Sequence, residues 1–501
     1  MSSASPVEGA AIDARVIEAM LPWLGVRFGN PSSLHAFGRD AAEAVPVTYT
    51  PQKAVVDMRH AIAKGAAAVW DKQPDNIAYD ASMGDKAKVD AAFAKAAHVV
   101  KLEIENNRLI TNYMETRGAI GAYDPSSQSY TLHVSSQGVH GIRDSVANLV
   151  LKIAPEKLRV VTGDVGGGFG TKTFVYREYP LVLEAAKILK RPVKWIAERS
   201  DHFVGDCHGR DNLSVAEVAM DGRGKFLAMR FDILGNLGAY LSQYGPYIPY
   251  LGGTMMTGVY KTPLIHVRVR GIYTHTVPVD AYRGAGRPDI AFAIERLVDH
   301  AAHEHGLDPV HVRRINFIPP EAFPYKTPTG NEYDSGDPAG LLDDVLRHSD
   351  YAGFEKRRAE ARARGKLRGI SVCTFVEPAG GGGSPVEETA IQFGAAGNPT
   401  IYTVSGPSGQ GHETVFPEIV AQTLGLDPLN VTLKYSDPDG PALRGDGTIG
   451  SRSLMSHGGS LLLAAREVVK KGRDLAARHL LQHHGRHVGL LGSVGLYGRA
   501  V

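Results

Sequence analysis

Cysteine is nearly absent from this chain: 501 residues hold two, Cys207 and Cys373. Two thiols cannot build a disulfide scaffold or supply the four thiolates of an iron–sulfur cluster, so any electron-relay cluster has to sit on another chain. Charge of either sign is not in excess, because 55 basic against 53 acidic side chains leave +2. That balance gives no reason to expect a nucleic-acid or membrane-surface partner. No stretch approaches the roughly 18 uninterrupted apolar residues of a membrane span. Met1 to Ala10 lacks the basic start and apolar core of a signal peptide, so a cytoplasmic chain is the expectation. Hydrophobic residues make up 43%, enough to fill the cores of several domains.

What the chain does have is one organising stretch, Val160-Val161-Thr162-Gly163-Asp164-Val165-Gly166-Gly167-Gly168-Phe169-Gly170-Thr171-Lys172. A β-branched run enters it and a helical pattern from Val175 to Leu189 leaves it, which predicts strand, tight turn and helix. Its glycines would let backbone N–H groups approach a bulky anion; the plainer alternative is a glycine-rich turn between two buried elements. The spacing gives neither a Walker loop, which needs Gly-Lys-Ser/Thr, nor the G-x-G-x-x-G of a dinucleotide fold.

Four further motifs carry chemistry. Ser135-Ser136-Gln137-Gly138 stands between a strand pattern, Tyr130 to Ser135, and a helix beginning near Gly141, where Gln137 either caps the helix or meets a ligand. Ala281-Tyr282-Arg283-Gly284-Ala285-Gly286 lies in a turn between a strand, Ile265 to Thr274, and a helix, Asp289 to His305. Arg283 there is a solvated charge, a salt-bridge member or a ligand-facing fork. Ser408-Gly409-Gln410-Gly411-His412-Glu413-Thr414 opens a helix through Leu424, and Gly450-Ser451-Arg452-Ser453 opens the last one. Free N–H groups and the dipole at a helix start favour anions. His202, Cys207 and His208 cluster in sequence, but their spacing matches no zinc pattern, and they read as structural.

The remaining elements follow from periodicity and punctuation. Helices are expected over Val55 to Ala68, Asp85 to His98, Ala339 to His348 and Gly353 to Arg364. Strands are expected over Val99 to Asn106, Val193 to Glu198, Gly369 to Val376, and near Glu388 and Ile401. A hairpin pairs Leu213 to Met220 with Phe226 to Ile233 through Asp221-Gly222-Arg223-Gly224. Pro319 to Pro338 reads as a linker, and Gly380 to Gly383 as a flexible loop.

Taken in order, the loop at 163–172, the A-Y-R-G turn, the S-G-Q-G-H-E-T segment and the G-S-R-S start resemble the cofactor loops of the molybdenum hydroxylases. That is the family of xanthine dehydrogenase, aldehyde oxidase and the large subunit of aerobic carbon monoxide dehydrogenase. The resemblance covers roughly residues 50 to 480. It implies an α+β fold of molybdopterin-binding domains, the second one incomplete. The implied plan is a remnant of the N-terminal domain at 46–80, a first cofactor domain at 81–318, a linker at 319–338, a truncated second domain at 339–480 and a non-matching tail at 481–501.

The resemblance also implies roles. Gln137, Phe169 and Arg283 would face the reacting centre, Arg283 orienting a carbonyl and stabilising developing negative charge. Gly167, Gly168, Gly170, Arg313, Ser408, Gly409, Gln410, Gly411, His412, Ser451, Arg452 and Ser453 would join Gln137, Phe169 and Arg283 in binding the pterin. Molybdenum would be held through molybdopterin, its cytosine dinucleotide form among the options, with no protein ligand to the metal. A small [2Fe-2S] subunit and a medium FAD subunit would be the partners, and a small molecule the substrate. Copper-using carbon monoxide enzymes carry a cysteine directly after the arginine of the A-Y-R-G turn; here it is Gly284, so a copper-bridged site is not expected.

Two features depart from that pattern. Hydroxylation in the family needs a glutamate base in a C-terminal Gly-Glu motif, whereas the one glutamate after Arg452 is Glu467, inside a helical run. Residues 1–45, with Phe28-Gly29-Asn30-Pro31-Ser32-Ser33-Leu34-His35, resemble the start of a cysteine desulfurase, a pyridoxal-phosphate enzyme. No His-Lys pair occurs to supply that family's cofactor lysine. The expected function is a molybdopterin subunit oxidising an aldehyde or N-heterocycle with water as oxygen source, impaired by truncation. A catalytically silent pterin-binding or assembly protein is the alternative, and a desulfurase the third reading.

Overall fold

The computed structural model describes residues 48, 50–380, 386–437, 439–482 and 498–500. The desulfurase-like segment and residues 483–497 of the tail lie outside the described residues. Two compact units emerge, each assembled from separated stretches of chain. One holds Thr111–Asp206 and the residues from Pro378 on, the other Gln52–Ile110 and Cys207–Glu377. None of the described helices is long and apolar enough to cross a membrane.

The Gln52–Ile110 and Cys207–Glu377 unit is built on a five-stranded sheet in the spatial order Ile77–Gly84, Ile265–Tyr273, Phe226–Gly238, Asn212–Met220, His98–Asn106. All neighbours run antiparallel except Phe226–Gly238 and Ile265–Tyr273, which are parallel. The Asn212–Met220 and Phe226–Gly238 hairpin is closed by Asp221, whose Oδ1 accepts the N–H groups of Arg223 and Lys225, both at 2.9 Å. The helix Arg287–Glu304 buries Ile290, Ala293, Ile294, Leu297, Val298, Ala301 and Ala302, a stripe at three- and four-residue spacing. This stripe joins Val218, Phe231, Val267 and Val269 of the sheet in one core. Each large apolar side chain so buried contributes about 1.5–3 kcal/mol, and this burial outweighs intrinsic helix propensity.

The Thr111–Asp206 and post-Pro378 unit carries two four-stranded sheets. The first runs Leu158–Val161, Ser129–Val134, Gly118–Asp124, Val193–Ile196. Helix Glu178–Leu189 packs on it so closely that a Cβ at Gly121 would stand 2.5 Å from the Val182 carbonyl. The second runs Thr432–Tyr435, Pro399–Thr403, Thr389–Phe393, Gly498–Ala500. Helices His412–Leu424 and Gly459–Gln482 cover it, with Phe416, Val420, Leu461, Ala464 and Val468 packed against Ile391 and Ile401.

Several sequence expectations change. The helix expected over Val55 to Ala68 is one turn, Met58–Ala61, capped by Asp57, and the chain leaves it through Gly65 at φ +81°. The Asp85 to His98 helix ends at Phe93, because His98 already begins a strand. No ladder forms over 369–376: the Thr374 N–H, instead of pairing with a strand, donates to the Glu295 carboxylate at 3.0 Å. The expected linker at 319–338 contains a two-residue hairpin, Tyr325–Lys326 with Glu332–Tyr333, and Tyr333 packs with Met255 and Ile318. After Gly170 a short 3-10 turn, Thr171–Thr173, precedes the helix, which begins at Glu178.

Candidate cofactor site

The Gly163–Lys172 loop leaves the strand Leu158–Val161 and turns back on itself through Gly167 at φ +90°, Phe169 at +52° and Gly170 at +106°. Only glycine adopts such values without strain, so Phe169 is a strained non-glycine position. Its ring is 43% exposed at the loop's tip. Gln137, 7% exposed, organises the turn. Its Oε1 accepts the N–H groups of Gly170 at 2.9 Å and Lys172 at 3.3 Å. A Cβ on Gly168 would come within 2.4 Å of that same oxygen. The buried Gly168 N–H has no protein acceptor among the described residues.

Gln137 also reaches 311 positions along the chain. Its Nε2 donates to the Thr448 carbonyl at 2.8 Å, and its own carbonyl accepts the Thr448 N–H at 2.7 Å. Thr448 Oγ1 lies 2.8 Å from Ser405 Oγ and donates to the Gly406 carbonyl at 2.6 Å. Ser405 Oγ in turn sits 2.9 Å from Ser453 Oγ. His412, 4% exposed, opens the helix His412–Leu424. Its ring stacks on Phe416 with centroids 4.5 Å apart, and its Nδ1 is buried without a partner. Burial foremost, then the nearby His457, lowers the His412 pKa. The glycine loop, Gln137, Ser405 and the Thr448–Ser453 stretch, far apart in sequence, therefore form one hydrogen-bonded arrangement inside one unit.

The motif residues differ in what they offer. Gly409 at φ +101° and Gly411 at +81° have open space where a Cβ would be. Gln410 folds back, its Oε1 accepting the Ser408 N–H at 2.5 Å. Ser451 stands at φ +56°. Arg452 is 2% exposed and turned inward, bonded to Glu387 and, at 2.9 Å, to Asp446. In the other unit Arg313 is fully buried, its guanidinium held by Glu295 at 2.8 Å and Asp299 at 2.7 Å. Arg283 is exposed in a turn with Gly284 at φ +92°, Ala285 at +46° and Gly286 at +86°. Arg210 holds that turn, donating to the Arg283 carbonyl at 2.7 Å and the Tyr282 carbonyl at 3.1 Å. His202 contacts Asp206 at 2.8 Å, Cys207 Sγ lies 3.2 Å from Ser242 Oγ, and His208 Nδ1 lies 3.1 Å from Arg108.

Known proteins resemble this chain over most of its length. Two molybdopterin cofactor-binding domain families match the chain, at residues 69–317 and 344–490. The chain is similar to the carbon monoxide dehydrogenase large chain of Hydrogenophaga pseudoflava, 32% identical over 471 residues that cover 88% of this chain and 58% of that one. It is also similar to the 6-hydroxypseudooxynicotine dehydrogenase complex subunit gamma of Paenarthrobacter nicotinovorans, 30% identical over 455 residues, 88% of this chain and 55% of that one. The solved quinoline 2-oxidoreductase of Pseudomonas putida 86 superposes with a TM-score of 0.80 at 31% identity, over 86% of this chain and 56% of that one. The chain belongs to the molybdopterin-binding large-subunit family.

Within that family the chain spans little more than half the length of the curated relatives it matches. The donor set suits a pyranopterin: a buried Gly168 N–H without an acceptor, a buried His412 Nδ1 without a partner, and glycine positions open to a ligand. Sequence reading singled out Gln137, the glycine loop and both helix starts, and the structure joins Gln137 to the loop and to Thr448. Sequence reading missed Thr448, Ser405 and Arg210, whose contacts lie across long sequence separations and leave no local signal. Glu115, outside the motifs read from the sequence, accepts the Gly166 N–H at 2.8 Å.

Proposed function

We propose that this chain is the molybdopterin-binding part of a molybdenum hydroxylase that oxidises an aldehyde or N-heterocycle with water as the oxygen source. The observation carrying this reading is the hydrogen-bonded connection of Gln137 to Gly170, and through Thr448 to Ser405 and Ser453, in one unit. Gln137, the Gly167–Gly170 turn, Ser408–His412, Ser451 and Ser453 would hold the pterin, in its plain or cytosine dinucleotide form. Bound there, the cofactor supplies two-electron redox chemistry, and the protein supplies binding and orientation.

Arg283 would orient the substrate's polar atom with its planar fork, its turn held in place by Arg210. Phe169, exposed at the loop tip, would offer an apolar wall to a flat substrate. Arg313 and Arg452, each turned to two carboxylates, are assigned to the frame rather than to the ligand. Gly284 after Arg283 supports a copper-free site. Electrons would leave through separate [2Fe-2S] and FAD subunits in the cytoplasm.

The second reading is a pterin-binding chain without turnover. Glu467 lies partly exposed within the helix Gly459–Gln482, 4.0 Å from Lys470 one turn on, the setting of a helix-surface carboxylate rather than of a base. Coexpression with iron–sulfur and flavin subunits of a relative, followed by dye-linked oxidation of aldehydes and N-heterocycles, decides between the two. Turnover within about tenfold of a relative's, a barrier change of about 1.4 kcal/mol, upholds the hydroxylase. Pterin bound without turnover on either substrate class favours the silent reading.

A further inference from the structure

The glycine loop has a second anchor that the family motifs leave without a role. Glu115 Oε2 accepts the Gly166 N–H at 2.8 Å and contacts Lys172 Nζ at 2.6 Å, while Oε1 accepts the Ser135 hydroxyl at 2.7 Å. The Glu115 N–H returns a bond to the Gly166 carbonyl at 3.2 Å. Contact is close enough that a Cβ on Gly166 would stand 2.4 Å from Glu115 Cβ. Lys172 is fully buried and lies 4.6 Å over the Tyr113 ring. Gln137 holds the loop at Gly170 and at the Lys172 backbone. One side chain thus grips the start of the Gly166–Lys172 turn and the other grips its end, with Gly167, Gly168 and Phe169 between them.

We infer that Glu115 is a positioning residue for the cofactor loop, fixing the Gly166 end of the turn so that the intervening amides are preset for the pterin. The inference rests on the pterin-binding reading above and extends it to a residue that is not among the pterin contacts proposed there. Replacing Glu115 alone would strand the buried Lys172 ammonium, so folding and positioning have to be separated. Lys172→Met removes that charge. In its background, Glu115→Gln keeps an acceptor for the Gly166 N–H, with its amide nitrogen able to donate to the Ser135 hydroxyl oxygen, and Glu115→Ala removes both.

Hydrogen exchange of the Gly166–Gly170 amides is read on the full-length, pterin-free chain, and pterin release by fluorescence on the loaded one. The account expects E115A/K172M to exchange and release about tenfold faster than E115Q/K172M, the scale of one lost anchoring hydrogen bond. Thermal unfolding midpoints of the two should lie within about 4 °C, the shift that one hydrogen bond gives, so both fold. Equal exchange in the two double variants would overturn the inference, even where the parent keeps its pterin. A parent that holds no pterin, with the exchange difference present, would sink the functional reading while the loop anchor stands.

Discussion

Gly168 is where the smallest change should matter most. Its φ is ordinary, so a methyl group there acts through space alone, meeting Gln137 Oε1 at 2.4 Å and Cδ at 2.8 Å. Gly168→Ala should displace the Gln137 amide from Gly170, cost about 1–3 kcal/mol of stability as overpacking does, and weaken pterin retention. Denaturant unfolding and pterin release check both. Behind the loop, Asp206 gathers Tyr113, Arg117 at 2.6 Å and His202 at 2.8 Å, all nearly inaccessible to water. Arg117 also pairs with Glu178 at 3.0 Å and lies 3.7 Å over the Tyr176 ring. Removing it in Arg117→Met takes the buried guanidinium from Asp206 and Glu178, which keep Tyr113, His202 and Arg177, and breaking such a buried pair costs about 3–5 kcal/mol. The urea midpoint should fall accordingly.

The same cluster sets a pH dependence. Burial pushes the Asp206 carboxyl up, but His202, Arg117 and Tyr113 outweigh it and hold the pKa below its ordinary 3.8. A carboxyl held lower in the fold than in the unfolded chain stabilises above its ordinary value, and that contribution is lost as the pH falls through the folded value. Asp206→Asn should therefore be destabilised at neutral pH, with its gap to the parent closing below 3.8. Urea melts across that range read it directly; a gap that stays constant would contradict the assignment.

Among the elements, the capped helix Pro309–Asn316 shows how local sequence and long-range packing divide the work. Asp308 accepts the N–H groups of Val310 at 3.3 Å and His311 at 3.0 Å, and a proline follows it, a helix start readable from sequence. Asp308→Ala should cost about 1 kcal/mol, measured as a shift in unfolding midpoint without loss of pterin. What sequence could not reveal is where Arg313 points, since Glu295 and Asp299 lie on the preceding helix, Arg287–Glu304. The resemblance placed Arg313 at the pterin; its geometry is that of a clamp between two helices. Strand Gly369 to Val376 misled for a related reason. Its alternation is real, yet the Thr374 N–H and hydroxyl go to Glu295, so no ladder remains to form.

At the scale of the molecule, glycine-rich turns at helix starts were legible because their residue types have few other uses, and the order of the motifs pointed to one family. Their convergence was not legible. It depends on Thr448 and Ser405, a common threonine and a common serine whose positions matter only after folding brings them to Gln137. The division into units was likewise invisible to composition, because each unit draws on separated stretches of chain.

The central claim is that residues of this chain alone form a molybdopterin cradle. The most direct measurement is the molybdenum and pterin content of the purified chain, made in a host supplying the cofactor, for the parent and for Gly168→Ala. The account predicts molybdenum and pterin equimolar with the parent chain and reduced in the variant. A folded parent carrying neither, or a variant that keeps both in full, would contradict it.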